Sequence, residues 1–272
     1  MTTHQTTQEA GVLVERLERH QARSRRMWRL QFAGSWILLI ALLLGFLAYT
    51  DNLDFGWIQR NWLFILAGAG FTVLVSAGSI VLATILAVFG ALGRLSRNPL
   101  LNGIASLYVS LIRGTPLIVQ IFFIYFALPQ VGIVLPPIPT GIIALGVNYG
   151  AYMTEIFRAG LQAVPRGQRE AAGALGMAER LIFRRIVAPQ AVRIVTPAVG
   201  NEFVAMIKDS ALVSLIGVQE LFWRAEVTGS RDIRTLQAFA VAAAFYWMVT
   251  IIFSLAQARL ERRMARGDRG DR

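Results

Sequence analysis

The residues best suited to support chemistry are ionisable side chains within an otherwise apolar part of the chain. Residues 193–220 contain a short series of polar side chains, namely Asn201, Glu202, Lys208, Asp209 and Ser210. At 100° per residue, helix positions seven apart lie within about 20° of each other, so the series forms a polar stripe. Its one cation and two carboxylates could bind a solute with both an ammonium and a carboxylate. They could also neutralise one another and fix the helix to its neighbours, or form a gate at one mouth of a pathway.

Other catalytic chemistry is scarce in this sequence. The chain has no cysteine, and its two histidines, His4 and His20, lie in the polar N-terminal segment, where we expect solvated side chains. Disulfides, thiolate chemistry and cysteine-based zinc sites are therefore excluded. No Gly-x-x-x-x-Gly-Lys-Ser/Thr phosphate loop occurs, so the chain is not expected to hydrolyse ATP. We predict a protein that is not an enzyme and holds neither a metal nor a cofactor of its own.

The elements that must position the polar stripe are membrane helices. Of the 272 residues, 55% are hydrophobic and 16% charged, and the charges fall in clusters between long apolar runs. Soluble domains carry about 25% charged residues, and a bilayer core of about 30 Å requires about 20 apolar residues per helix. We predict an all-α integral membrane protein with six transmembrane helices, at residues 30–50, 62–91, 100–128, 138–160, 193–220 and 236–258.

The positive residues predict the orientation of these spans. Of the 27 positive residues, 21 fall in four segments: the N-terminal tail (1–29), the connection after the second span, the long loop counted from Arg158 to Arg193, and the C-terminal segment from Arg259 on, which includes the basic tail 261–272. Positively charged segments stay on the cytoplasmic side, so both termini are predicted to be cytoplasmic. The net charge of +11 then reflects topology, and no nucleic-acid partner is needed. The N-terminal tail could be solvated, or could form an amphipathic helix on anionic lipid.

The long cytoplasmic loop has the pattern of two short helices joined at a glycine. Residues 167–175 are rich in alanine, and Glu170 lies in the first turns, where a negative charge suits the helix dipole. Gly176 can adopt the left-handed conformation that ends a helix. A second helix, 178–187, is predicted to stop before Pro189. Such a unit could fit a groove on another protein, or could be an ordinary amphipathic loop.

This loop resembles the EAA loop of ABC import permeases, although Ala188 stands where that family often has leucine. The resemblance covers residues 161–192 and rests on Glu170, Ala171, Ala172, Gly173, Gly176 and Pro189. It implies that the loop is a coupling helix that inserts into a cleft of an ATPase subunit. ATP and Mg²⁺ would then be bound by that partner.

Further segments resemble the permeases for polar amino acids of the histidine, glutamine, arginine and opine type. They include Arg113, Gly114, Thr115 and Pro116, then Glu155 and Arg158, and finally the polar stripe. The resemblance covers residues 62–260 and implies a five-helix core, so that 30–50 is an additional N-terminal helix. It also implies a second permease, of the same or a similar chain, an extracytoplasmic amino-acid-binding protein, and a multi-pass location in the bacterial cytoplasmic membrane, surrounded by lipid.

Two other functions remain as alternatives from the sequence. An ion-coupled secondary transporter could use Glu202 and Asp209 as proton or sodium sites, although such folds typically contain internal repeats and none is found here. A membrane-embedded enzyme would need a nucleophile or metal set that the sequence does not offer.

We also predict roles for several polar residues outside the stripe. Asn148 and Tyr149, in the middle of the fourth span, are expected to bind neighbouring helices, or else to line a pathway. Glu155 and Arg158 could form an ion pair, and Arg113 is expected to brace its span. The small residues of the second span predict a packing seam rather than a site; they are Gly68, Thr72, Ser76 and Ser79.

Overall fold

The structure, a computed structural model, describes residues 2–49 and 54–267, with side chains described for Ser24, 26–46, 48–49 and 54–264. Every regular element in these ranges is helical. The helices are α1 (Thr2–Tyr49), α2 (Phe55–Leu66), α3 (Gly68–Leu95), α4 (Pro99–Arg113), α5 (Leu117–Gln130), α6 (Pro137–Ala163), α7 (Arg166–Ala174), α8 (Glu179–Ile182), α9 (Ala188–Asp209), α10 (Leu221–Arg231) and α11 (Thr235–Gly267). A π-helical turn (Phe183–Val187) joins α8 to α9, and a 3₁₀ segment (Ser210–Ile216) follows α9.

The chain divides into two units, Met1–Phe55 and Gly56–Arg272. The first unit is built on α1, which is one continuous helix through both the predicted basic tail and the predicted first span. Its segment Arg26–Phe46 is long and apolar enough to cross a membrane. The side chains of Trp28 and Phe32 stack along it with 5.2 Å between ring centroids. The N-terminal tail is thus helical, while its contact with lipid stays a prediction.

The second unit is organised around the packing of α3 against α6. Small residues allow a close approach: a Cβ built on Gly146 would lie 2.7 Å from the side chain of Leu82, and one on Gly78 would lie 2.8 Å from Ile142. The surrounding core is fully buried and includes Val75, Ala83, Ala87, Leu145 and Met153. Because helix backbones that approach this closely need small residues at the contact, the glycines of α3 and α6 set the architecture of the bundle.

Length and apolarity identify three spanning helices in the described residues, or four if a bent pair counts as one span. They are Arg26–Phe46, Phe55–Leu95 and Thr235–Met264, and the bent pair is α4 with α5. Helices α6 and α9 have 27 and 22 residues, enough to cross a bilayer at 1.5 Å per residue, but they carry more polar residues. The six-span count and the cytoplasmic termini therefore stay predictions.

The structure differs from three local predictions. The span expected at 100–128 is broken between α4 and α5 by a bend of 109°, because Pro116 has no backbone N–H to donate and cannot continue α4. The span expected at 193–220 ends as an α-helix at Asp209 and continues only as a 3₁₀ segment. The helix expected to stop before Pro189 runs on into α9. A π-helical turn, in which the N–H of Ala188 donates to the Phe183 carbonyl five residues back, precedes the proline and accommodates it.

Candidate functional site

The EAA-like loop folds as a small unit between α6 and α9, with an apolar core of its own. Helix α7 matches the predicted first helix, 167–175, to within one residue at each end, and Gly176 takes a φ of +77°, the left-handed conformation expected after it. The N–H of Met177 donates to the Ala172 carbonyl at 3.1 Å and closes the turn. The unit has its own apolar core, formed by Val164, Ala172, Ile182, Val187 and Ala191. The prediction of a helix ended by a left-handed glycine is confirmed.

Burial divides the EAA-like residues into an inner and an outer set. Ala172 is buried in the loop core, whereas Glu170 is exposed on α7. Leu175, directly before the left-handed glycine, is 83% exposed and lies at the tip of the loop. No atom lies within 4 Å of a Cβ built on Gly173 or Gly176. The loop therefore exposes Leu175 and its glycines, while Ala172 fixes it to the core beneath.

At the opposite end of α9, the polar stripe meets α6. The Tyr149 hydroxyl donates to Asp209 Oδ2 at 2.8 Å, and Ser210 is buried and donates to the Ile207 carbonyl. Glu202 is half-buried and Lys208 is exposed. Within residues 54–264, no ion pair joins Lys208 to Glu202 or Asp209. The ion pair that a self-neutralising stripe would need, between Lys208 and one of the two carboxylates, is therefore not formed within these residues.

The N-terminal end of the stripe contacts the last helix. The amide of Gln257 on α11 donates to Asn201 Oδ1 at 3.0 Å and to the Pro197 carbonyl at 3.1 Å. Gly200 allows this approach, because a Cβ there would lie 2.6 Å from the Gln257 side chain. Asn201 thus fixes α9 to α11. Glu202, the next residue of α9, makes no hydrogen bond or ion pair within the described part of the chain.

The bend between α4 and α5 is held by an amide network. Gln120 Nε2 donates to the Ile112 carbonyl at 2.7 Å and to Thr115 Oγ1 at 2.8 Å, and its Oε1 accepts from Asn148 Nδ2 at 3.0 Å. These bonds satisfy carbonyls that the broken helix leaves free. A carbonyl without a hydrogen bond would be costly in an apolar environment. Asn148 therefore acts as a packing residue, as expected, whereas Gln120 was missed because nothing in its local sequence marks it.

Arg113 and Glu155 make further contacts between helices, with α6 and α3. The Arg113 guanidinium lies 5.2 Å from the centroid of the Tyr152 ring, at the end of α4. Glu155 pairs with Arg158 at 2.7 Å, as expected, and also with Arg94 of α3 at 3.2 Å. The Arg94 contact, which ties α3 to α6, was not predicted because it joins residues 61 positions apart.

The largest omission of the sequence reasoning is Glu220. Its side chain is fully buried before α10, where the carboxylate accepts from the N–H groups of Phe222 and Trp223 at 2.9 and 2.8 Å. The hydroxyl groups of Thr72 on α3 and Tyr246 on α11 also donate to it. A Cβ on Gly68 would lie 2.6 Å from the backbone of Leu221, so the predicted small-residue seam of α3 is confirmed as a packing surface.

No group of three His, Asp or Glu side chains in the described part of the chain is arranged to hold a metal ion. What the geometry brings together is a bundle with buried polar residues at its helix contacts and an exposed two-helix loop at one end.

Comparison with known proteins identifies the family. Residues 79–266 match the model for the binding-protein-dependent transport system inner membrane component. The L-cystine transport system permease protein TcyB of Bacillus subtilis is 39% identical over 209 residues, which cover 76% of this chain and 89% of that protein. The arginine transport system permease protein ArgU of Corynebacterium glutamicum is 35% identical over 260 residues, covering 88% of this chain and 82% of the relative. Because the latter match covers 88% of the chain, it includes part of α1.

A solved structure gives the same answer. A crystal structure of an amino acid ABC transporter with histidines superposes with a TM-score of 0.73 at 37% sequence identity, covering 78% of this chain and 99% of that one. The fold, the exposed loop and the sequence similarity agree. The chain belongs to the binding-protein-dependent transport system inner membrane components, the membrane-embedded permease subunits of ABC transporters.

Proposed function

We propose that this chain is the permease subunit of an ABC importer that moves polar amino acids across the bacterial inner membrane. The observation that carries the proposal is the EAA-like loop, in which Leu175 is exposed while the core beneath it joins the ends of α6 and α9. The names of the similar proteins, permeases for cystine and arginine, support an amino-acid substrate. None of these similarities favours an ion-coupled secondary transporter or a membrane-embedded enzyme.

The arrangement of partners follows from this role. Two ATPase subunits would bind ATP and Mg²⁺, and each would receive one loop in a cleft. A second permease, of the same or a similar chain, would complete the pathway, and an extracytoplasmic binding protein would deliver the amino acid. Residues 62–260 would form the five-helix core, with α1 as a sixth, additional span. Both termini would lie in the cytoplasm, and no nucleic acid would take part.

The mechanism is alternating access driven from outside the chain. Closure of the ATPase dimer would push the two loops together. Because α7 and α8 share a core with the ends of α6 and α9, the movement would pass to these helices without first deforming the loop. The bundle would then rock from an inward-open to an outward-open state, and would accept substrate from the docked binding protein. This chain supplies the lever and the pathway, and the partner supplies the energy.

The coupling role is tested by substitutions at the loop. Gly176→Asp places a side chain at φ +77°, and Glu170→Lys reverses the charge of an exposed position on α7. Both variants are expected to abolish transport and substrate-stimulated ATP hydrolysis while the protein stays in the membrane. Gly167→Ala is the matched control, because no atom lies within 4 Å of a Cβ built there, and it should transport normally. Normal uptake by Gly176→Asp and Glu170→Lys would refute the coupling role.

For the substrate pathway, we propose that the polar stripe of α9 contributes side chains. Lys208 and Glu202 are not engaged by any ion pair within residues 54–264, and Asp209 is oriented by Tyr149. Glu202→Gln keeps the size of the side chain but removes its charge. We expect this variant to weaken transport or to change the preference for cationic amino acids. Unchanged amino-acid titrations of the stimulated ATPase activity would show that Glu202 does not contact substrate.

A further inference from the structure

The turn between α10 and α11 holds an apolar side chain in an unfavourable and exposed position. Ile233 has a φ of +55°, and within residues 54–264 it is the only residue other than glycine with positive φ. Its side chain is 91% exposed. A β-branched residue is a genuine outlier in the left-handed region, where its Cβ crowds the backbone. Neither burial nor backbone preference explains an isoleucine at this position.

The turn is nevertheless held firmly in this conformation. The N–H of Arg234 donates to the Gly229 carbonyl at 2.7 Å, and the N–H of Asp232 donates to the Thr228 carbonyl at 3.2 Å. These bonds end α10 in the manner of a left-handed helix cap, a position where glycine is usual. Gly229 also packs closely on the start of α11, since a Cβ there would lie 2.7 Å from Ala238.

The carboxylate next to Ile233 clamps the turn to α2. Trp57 Nε1 donates to Asp232 Oδ2 at 2.7 Å, and Arg231 Nε donates to Oδ1 at 2.7 Å. Arg231 also reaches Asn61 of α2 at 3.2 Å. Hydrogen bonds from Arg231 and Trp57 lower the pKa of Asp232 to about 2, so the carboxylate is ionised at physiological pH. The side chain of Ile233 is therefore presented in one direction.

This turn lies at the end of the bundle opposite to the EAA-like loop. Its partner Trp57 is in the first turn of α2, whereas Leu95 at the end of α3 lines a cavity together with Leu161 and Arg166, next to the loop. The helical segment Phe55–Leu95 has 41 residues, about 60 Å at 1.5 Å per residue. If the loop faces the cytoplasmic ATPase, Ile233 faces the extracytoplasmic side.

We propose that Ile233 is an anchor residue for the extracytoplasmic binding protein and inserts into an apolar socket on that protein's surface. The inference rests on the proposed function. Strained, exposed residues that their surroundings hold in place are typical of contact sites, and apolar anchors dominate the energetics of protein interfaces. A lipid would accept an apolar side chain from any backbone conformation, so a fixed left-handed presentation favours a partner with a defined shape.

The test uses the complete transporter in lipid nanodiscs with a purified binding protein that stimulates the wild-type ATPase activity. Ile233→Asn and Ile233→Gly both suit the left-handed conformation but remove the apolar side chain. We expect them to raise the half-stimulating concentration of binding protein at least about tenfold. Their basal ATPase activity should be unchanged and their melting temperature equal or higher, by about 2 °C. Ile233→Leu keeps the apolar area and should remain within about threefold of the wild type.

A contact measurement separates the binding protein from lipid. A photoreactive p-benzoylphenylalanine in place of Ile233 should cross-link to the binding protein upon irradiation. Cross-linking to lipid alone would overturn the inference, as would an Ile233→Asn variant stimulated at the same binding-protein concentration as the wild type. In both cases the stimulated wild type would leave the proposed function standing. If no binding protein stimulated the wild type, the proposed function would fail and the anchor with it.

Discussion

Removal of the Glu220 carboxylate should destabilise the bundle strongly, because this side chain joins three helices. It accepts hydrogen bonds from two backbone N–H groups at the start of α10, from Thr72 of α3 and from Tyr246 of α11. Its side chain is fully buried, so Glu220→Ala leaves these donors without a partner and without access to bulk water.

The expected loss can be worked out from these contacts. Loss of a helix N-cap costs about 1 kcal/mol. Each buried hydroxyl left unsatisfied costs about 1–3 kcal/mol, although Thr72, at 3.5 Å from the carboxylate, belongs at the low end. Together with the cavity, we expect Glu220→Ala to lower the free energy of unfolding by about 4 kcal/mol. Glu220→Gln retains an acceptor and the side-chain volume, and should lose about half as much.

Equilibrium unfolding in mixed detergent micelles with increasing sodium dodecyl sulfate measures this difference. Glu226→Ala is the matched control: Glu226 lies on the same helix, is exposed and makes no ion pair within the described residues, so its loss should stay within about 0.5 kcal/mol. If Glu220→Ala proved no more destabilising than Glu226→Ala, the assignment of Glu220 as the residue that joins α3, α10 and α11 would be refuted.

Three further perturbations follow from the packing. Gly90→Ala places a methyl group against the α6 side chain that faces it and should cost about 1–3 kcal/mol in the same unfolding assay, whereas Gly70→Ala, with open space around its Cβ, should be neutral. Tyr149→Phe removes the hydrogen bond to Asp209 and should weaken amino-acid transport several-fold without preventing insertion; unchanged concentration dependence of uptake would contradict this. Deletion of residues 1–50 leaves every recognised core motif in place and should retain coupled ATP hydrolysis, and its loss in a stably inserted protein would show that α1 is more than an anchor.

Features set by local sequence were predictable in this chain. Helix α7 and its end at Gly176 follow from an alanine-rich segment and a glycine placed where a left-handed residue is required. The pairing of Glu155 with Arg158 follows from their spacing on one helix. The bend between α4 and α5 could also have been predicted, because Gly114 and Pro116 lie on either side of Thr115. Counting apolar residues, however, treats α4 and α5 as one span.

Features that depend on distant contacts were not predictable from one sequence. Glu220 reads as the polar end of an apolar stretch, and its role becomes visible only when Thr72 and Tyr246 converge on it. Gln120 and Arg94 are similar cases, since their partners lie 28 and 61 positions away. Polar residues inside a membrane bundle must find partners, but the sequence does not say on which helix.

ATP-driven uptake in proteoliposomes tests the central claim most directly. The permease and its ATPase subunits would be reconstituted with ATP and Mg²⁺ in the lumen, and the binding protein with radiolabelled arginine or cystine would be added outside. The account predicts uptake that requires both luminal ATP and the binding protein, and that persists when ionophores collapse all ion gradients. Uptake that proceeds without ATP and stops with the ionophores would contradict it.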